Sequence, residues 1–424
     1  MFSWRQTARA DATGKDFGPH HVGHLESDLM EESSVTDLGP GDGDGIMVRV
    51  RETFELFVEV LEQRATERNL TAAEVLPRFK ETELFDPVVD AVEAAILDRQ
   101  PEFAAEVADY HQGFSERLRG YYREAFDGFQ GFISICIESM SDAHTRGSGQ
   151  IDLTGEVLLD LHARACLVSN EIYTLLTSGY PYGALAAWRT VHELSVIAST
   201  MDKHGRDNGA DLTNRWIACD AVLRLQDAKI YQERHERLGY EPLADDDLRQ
   251  MQDDVDEAIK AHGSSIAQPN GYGWAVEICR PKPANFRTLE ALAGRDHLRG
   301  HYRWASHRVH GDSRGNEHNW ITRGDQSVRL AGPTNSGLVD AADLTLSSLW
   351  IATNCVLTGL RDDGETEYEE VAMMLTLGRL RERVVQHFVD AQAKIDAAEE
   401  ALLAEGATST TETSSVEEPP ATGH

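Results

Sequence analysis

Three residues in the last third of the chain have the types and the spacing of a site that cleaves phosphate esters: Arg303, Ser306 and His310. Positions 303 and 310 are seven residues apart, so on a helix, at about 100° per residue, they lie within roughly 20° of one another. Arginine offers a planar fork of donors to a phosphate, and histidine takes up and returns a proton near neutral pH. This pattern predicts cleavage of RNA without a metal ion.

Each residue of this group has a predicted role. Arg303 is the phosphate clamp and His310 the acid or base, while Ser306 and the bordering Tyr302 donate hydrogen bonds to the substrate or the transition state. The same spacing also fits a helix whose Arg and His pair with acids elsewhere in a bundle. Trp304, Trp320 and Tyr302 could stack a base, although packing is the default role of such rings.

The segment around these residues has a charge opposite to that of the remaining chain. Residues 280–329 contain ten Lys and Arg against five acids, a net of +5, whereas the whole protein carries −32. Five of the 17 histidines also fall in this window. A cationic segment with imidazoles indicates an anionic ligand, such as RNA or a nucleotide. The acidic remainder argues against broad, sequence-independent binding to duplex DNA.

A second group of polar residues lies on the predicted helix 183–200, which is otherwise apolar. Arg189 and Glu193 are four residues apart and can form an ion pair within the helix. Such a pair is predicted to be buried, where it needs further groups to satisfy it. It is either a structural network or the acidic, orienting half of the site around His310. His192, beside it, is predicted to pack in the core.

A metal-dependent hydrolase is an alternative interpretation of the basic window. Histidines recur there at spacings of three and four residues, and acidic or further imidazole groups follow: His297, His301, His307, His310, Asp312 and His318. Two imidazoles on one helical turn can bind zinc. However, the sequence contains no His-Glu-x-x-His motif, and no cysteine ligand completes the site. It also lacks a Walker A loop, a Gly-x-Gly-x-x-Gly fingerprint and a Gly-x-Ser-x-Gly elbow, so no cofactor is predicted.

Apolar residues recur at helical spacing along most of the chain, which predicts an all-α helical bundle without strands. Both ends are rich in polar residues, Gly and Pro, so residues 1–45 and 405–424 are predicted to be disordered. Three folded parts are predicted between these tails: an N-terminal helical unit at 46–147, a central helical domain at 148–365 and an amphipathic helix at 366–404.

The chain is predicted to be cytoplasmic and not embedded in a membrane. The uncharged stretch 344–360 contains Thr, Ser and Asn, and two aspartates precede it, which favours a buried helix over a membrane span. The first residues lack the apolar segment of a secretion signal. The five cysteines are scattered without a Cys-x-x-Cys pair, which favours a reducing compartment.

Three motifs occur in order along the central part of the chain. They are Arg189-x3-Glu193, the segment Tyr272-Gly273-Trp274-Ala275 and the helix Tyr302-x3-Ser306-x3-His310. In this respect residues 150–360 resemble the prokaryotic family known as domain of unknown function 5677. The resemblance implies a helical fold and leaves the function open.

Arg303 and His310 also resemble the signature of the HEPN superfamily of helical ribonucleases, in which a His follows an Arg after four to six residues. Arg295 and His301 fit the same signature. Directly after the Arg, where the superfamily commonly has a polar residue, this chain has Trp304. The resemblance implies a homodimer and a ribonuclease or toxin in a defence or stress system. The alternative is a non-catalytic helical module that binds a nucleotide, a partner protein or a second copy.

Overall fold

The computed structural model describes residues 82–147, 151–311, 313–316, 320–323, 326–360 and 368–413, with a few further positions between 55 and 70. Within these residues most of the chain is α-helical, so the predicted all-α class is confirmed. The longer helices are α1 (Thr82–Gly147), α2 (Leu153–Thr177), α3 (Pro181–His204), α4 (Asp207–Leu238) and α5 (Asp245–His262).

Shorter elements follow α5 and lead to the last two long helices. Single turns of 3-10 helix lie at Ser264–Ala267, Gly273–Ala275 and Asp296–Leu298. The remaining helices are α6 (Val276–Cys279), α7 (Phe286–Leu292), α8 (Arg299–Val309), α9 (Ser313–Asn316), α10 (Leu338–Gly359) and α11 (Tyr368–Thr413).

Helices α2, α3 and α10 pack against one another and form the centre of the bundle. Their apolar stripes meet in the core, where Leu158, Trp188 and Leu349 are fully buried. The Trp188 Nε1–H donates to Ser348 Oγ at 3.0 Å, so the one polar atom of this ring is satisfied in the core. The stretch 344–360, predicted to be a buried helix, lies largely within α10. Among the described residues, no helix is long and apolar enough to cross a membrane.

The chain divides into two compact units, the first ending at Ala108 and the second beginning at Asp109. The segment 109–147 of α1, which the sequence analysis placed in an N-terminal unit, therefore belongs to the second unit. Its aromatic residues supply much of the core, because Phe126, Phe129 and Phe132 are fully buried. Phe388 of α11 packs on the first two, with ring centroids 5.8 and 6.1 Å apart.

Among the described residues, a β-hairpin interrupts the helices. The sequence analysis predicted no strands, so this hairpin was not expected. Strand β1 (Trp320–Arg323) pairs antiparallel with β2 (Gln326–Arg329). Each strand has only four residues, too few for apolar alternation to be recognised. The local signal is the dipeptide Gly324-Asp325 between two short runs, a combination typical of two-residue hairpin connections.

Most of the two predicted tails, residues 1–45 and 414–424, lies outside the described residues. The last helix differs from its predicted end, because α11 continues beyond residue 404 to Thr413. No proline occurs between 404 and 413, and a single glycine, Gly406, does not stop a helix that has already propagated.

Candidate functional site

Helix α8 carries the residues of the predicted phosphate site, and it packs against α3. Arg303 lies in its middle and is exposed, as is His310 directly after its last residue. The His310 N–H still donates to the carbonyl of Ser306 at 3.1 Å, so its Cα keeps its helical position although its ψ is 141°. Because Arg303 and His310 are seven residues apart, their Cα atoms are separated by about 10.5 Å along the axis of α8. The face of α8 therefore presents a guanidinium and an imidazole to solvent about two turns apart.

The two hydroxyl groups of the predicted site already have acceptors within the protein. Ser306 Oγ donates to the carbonyl of Tyr302 at 2.7 Å, one turn back along the helix. Tyr302 Oη donates to the carboxylate of Glu193 and accepts from Arg189 Nη2 at 3.0 Å. Burial and the hydrogen bond to Glu193 raise the pKa of the Tyr302 phenol. The phenol is therefore neutral near pH 7 and connects α8 to α3.

The Arg189–Glu193 ion pair is half-buried, where the sequence predicted a buried pair. Its closest nitrogen–oxygen distance is 3.9 Å, and the two side chains are 20% and 37% exposed. Arg189 Cζ also lies 4.7 Å from the centroid of the Tyr302 ring, a favourable cation–π distance. The pair thus forms a network with Tyr302.

A second, deeper group adjoins this network and centres on Glu290 of α7. The Glu290 and His192 side chains are both fully buried, and His192 Nε2 lies 3.0 Å from Glu290 Oε1. The other carboxylate oxygen accepts from Arg299 Nη1 at 2.7 Å. As predicted, His192 packs in the core, stacked on Trp188 with centroids 5.2 Å apart. A buried carboxylate is costly unless it is paired, and here both of its oxygens have partners.

Sequence reasoning missed Glu290 and Arg299, although a local signal exists for the first. In α7 the positions of Phe286, Leu289 and Glu290 share one face, and all three are buried. A glutamate at an otherwise apolar helical position indicates a buried partner. No such signal marks Arg299, which is one of several arginines in the basic window.

The two networks meet at aromatic rings contributed by separate parts of the chain. Tyr302 packs on Phe286 with centroids 4.9 Å apart, and Arg299 Cζ lies 5.1 Å from the Tyr302 ring. Burial, together with the nearby Glu193, raises the pKa of the Tyr272 phenol. Tyr272 comes from the Tyr-Gly-Trp-Ala segment, so the three motifs of the sequence analysis converge on one place.

The aromatic residues considered as base-stacking platforms have other contacts. Arg308 lies against the Tyr182 ring, with its Cζ 3.9 Å from the centroid, and its Cζ is 5.8 Å from the Trp304 ring. The Tyr302 ring is in contact with Arg189 and Arg299, whose Cζ atoms lie 4.7 and 5.1 Å from its centroid. Both Trp304 and Tyr302 are half-buried, which fits packing. The side chain of Trp320 lies outside the described residues.

The histidine cluster of the basic window does not form a metal site within the part of the chain that the structure describes. No group of three or more His, Cys, Asp or Glu in that part is placed to hold a metal ion. Asp312 and His318, which belong to the predicted cluster, lie outside it.

Comparison with known families gives a match for the region that contains these networks. Residues 155–327 match the model of a family described as "Family of unknown function (DUF5677)". This region belongs to the DUF5677 family. The DUF5677 region includes α3, α7 and α8, and hence every residue of the two networks. No curated protein and no solved structure matches the chain.

Proposed function

We propose that the DUF5677 region is a metal-independent endoribonuclease of HEPN-like type, with its site on the exposed face of α8. One observation carries the proposal: Arg303 and His310 are both exposed on that face, whereas the neighbouring charged side chains Arg189, Glu193 and Arg299 are held in networks. The net positive charge of the basic window attracts RNA phosphates, although the rest of the chain carries a large negative charge.

The proposed chemistry uses the RNA's own 2′-hydroxyl as the nucleophile. His310 accepts the 2′-hydroxyl proton while the 2′ oxygen bonds to phosphorus, and the bond from phosphorus to O5′ breaks. The proton is then returned to O5′, which leaves a 2′,3′-cyclic phosphate and a 5′-hydroxyl. Arg303 stabilises the negative charge that builds on the phosphoryl oxygens.

In this proposal the Arg189–Glu193–Tyr302 network positions the site and does not react. Tyr302 is one residue before Arg303. Its hydroxyl and its ring contact Arg189 of α3, and its ring also contacts Arg299. Helix α8 is thereby fixed, and a fixed backbone limits the positions that Arg303 and His310 can take.

Cleavage of a defined RNA tests the proposal. We expect the purified full-length protein to cut a labelled single-stranded RNA in the presence of EDTA and to leave a 2′,3′-cyclic phosphate. A matched strand with a 2′-deoxy nucleotide at the cleavage position should stay intact, because it lacks the nucleophile. Cutting of the deoxy strand, or cutting that EDTA abolishes, would contradict the proposed chemistry.

A non-catalytic module that binds an anionic ligand on the same face is the second candidate function. It is favoured by the hydrogen bonds of Ser306 and Tyr302, since the protons of both hydroxyls are already directed to protein acceptors. In that case the protein would bind the labelled RNA or a nucleotide without cutting it, and the bound ligand would be recovered whole.

The proposal includes a homodimer, because HEPN active sites are usually built across two subunits. We expect sedimentation equilibrium of the full-length protein to give twice the chain mass. A monomeric mass would exclude a site built across two subunits.

A further inference from the structure

We infer that Arg299 is a second phosphate-binding residue, held in place by the buried Glu290–His192 pair, and that the substrate is a single strand of RNA lying along α8. The inference rests on the proposed function and specifies how the substrate is bound. It begins with the position of Arg299, four residues before Arg303. Four residues turn a helix by about 400°, so the two arginines share a face, as Arg303 and His310 do.

Arg299 forms an ion pair within the protein through one terminal nitrogen of its guanidinium. One of its terminal nitrogens, Nη1, binds Glu290 Oε2 at 2.7 Å, and its guanidinium lies against the Tyr302 ring. The side chain is 32% exposed. A guanidinium has five N–H donors in a rigid fork, so donors remain for an outside acceptor.

Glu290 and His192 determine where this guanidinium lies. Glu290 is fully buried and receives His192 Nε2 on one oxygen and Arg299 on the other. A long arginine side chain on a helix surface is normally mobile, and immobilising it costs conformational entropy when a ligand binds. Here the buried carboxylate holds the guanidinium before any ligand arrives. Glu290 and His192 are therefore positioning residues, and Arg299 is the group that contacts the phosphate.

The two arginines are about 6 Å apart along the axis of α8, since each residue rises 1.5 Å. A row of Arg299, Arg303 and His310 thus extends over about three turns of one helix face. Such a row suits neighbouring phosphates of one strand, whereas a mononucleotide would meet only part of it. Single strands are also the form of RNA in which the 2′-hydroxyl is free to align for attack.

Salt dependence of binding tests the inference, because each phosphate contact releases counterions. The probe is a fluorescein-labelled oligouridylate bound to full-length protein that carries His310→Ala to prevent turnover. Adding Arg299→Gln should lower the slope of log affinity against log salt by about 0.7, the value for one lost contact to a single strand. Arg303→Gln should have a similar effect. Arg237→Gln, at an exposed arginine of α4 outside the basic window, should leave the slope unchanged.

Loss of Arg299 also removes a partner of a buried carboxylate, so folding needs its own control. The double variant Glu290→Gln, Arg299→Gln removes both charges together and keeps hydrogen-bonding groups in both places. It should fold and show the same reduced slope. A variant Glu290→Gln alone should keep the slope and lower the affinity, because Arg299 keeps its charge and loses its anchor.

The outcomes separate this inference from the proposed function. A lower slope for Arg299→Gln and for the double variant supports it. An unchanged slope for both, with a lower slope for Arg303→Gln, overturns the role of Arg299 and leaves the α8 site standing. Oligouridylate that is neither bound by the His310→Ala protein nor cut by the wild type overturns the proposed function, and this inference with it.

Discussion

Cells that express the intact protein are expected to stop growing and to show broken RNA, and His310→Ala is expected to abolish both effects. The imidazole is the proposed proton acceptor and donor, and removal of such a group typically lowers a rate by about 10²–10⁴. Arg303→Ala should act in the same direction, by about 10²–10³, because it removes charge stabilisation in the transition state. The measurements are growth after induction and total RNA on a gel.

Matched substitutions show whether these losses are specific. His144 on α1 and Arg237 on α4 are also exposed and lie outside the basic window. Their alanine variants should remain as toxic as the wild type. If all four variants and the wild type behave alike and RNA stays whole, the non-catalytic binding module becomes the better account of this face.

Glu290→Ala is expected to destabilise the second compact unit by about 3 kcal/mol or more. The substitution removes the partner of a fully buried His192 and of Arg299, and deleting one member of a buried pair commonly costs about 3–5 kcal/mol. We expect a lower midpoint in urea denaturation, with a melting temperature lower by roughly 6–12 °C. Glu290→Gln should cost less, because the amide still offers an oxygen to the Arg299 guanidinium.

The comparison variant is Glu277→Ala, which also removes a glutamate paired with an arginine. Glu277 lies 2.9 Å from Arg280, but both side chains are well exposed, at 47% and 66%. Exposed pairs contribute about 0–1 kcal/mol, so this variant should unfold close to the wild type. Equal midpoints for the Glu277 and Glu290 variants would show that the buried pair does not stabilise the fold.

Local sequence patterns were sufficient to predict the positions of these helices. The predicted helix 183–200 lies within α3, and the predicted helix around Arg303–His310 lies in α8 and its C-cap. These features depend on apolar spacing and on helix-ending residues, which neighbours in the sequence control. The exposure of Arg303 and His310 fits their place on the polar side of α8.

Contacts between segments far apart in the sequence became known only from the tertiary structure. The placement of 109–147 with the later helices depends on Phe126 and Phe129 meeting Phe388, more than 250 residues away in the sequence. Nothing near either segment records that contact. The hairpin also depends on pairing across strands that are each too short to show a period.

The networks beside α8 illustrate the same division. The sequence by itself determined that Arg189 and Glu193 form a pair on α3, because a spacing of four residues places them together on any helix. That Tyr302 joins them, and that His192 and Arg299 share one buried carboxylate at Glu290, was decided by the packing of α7 and α8 on α3. Side-chain partners 98 to 113 residues apart become neighbours only when the helices dock.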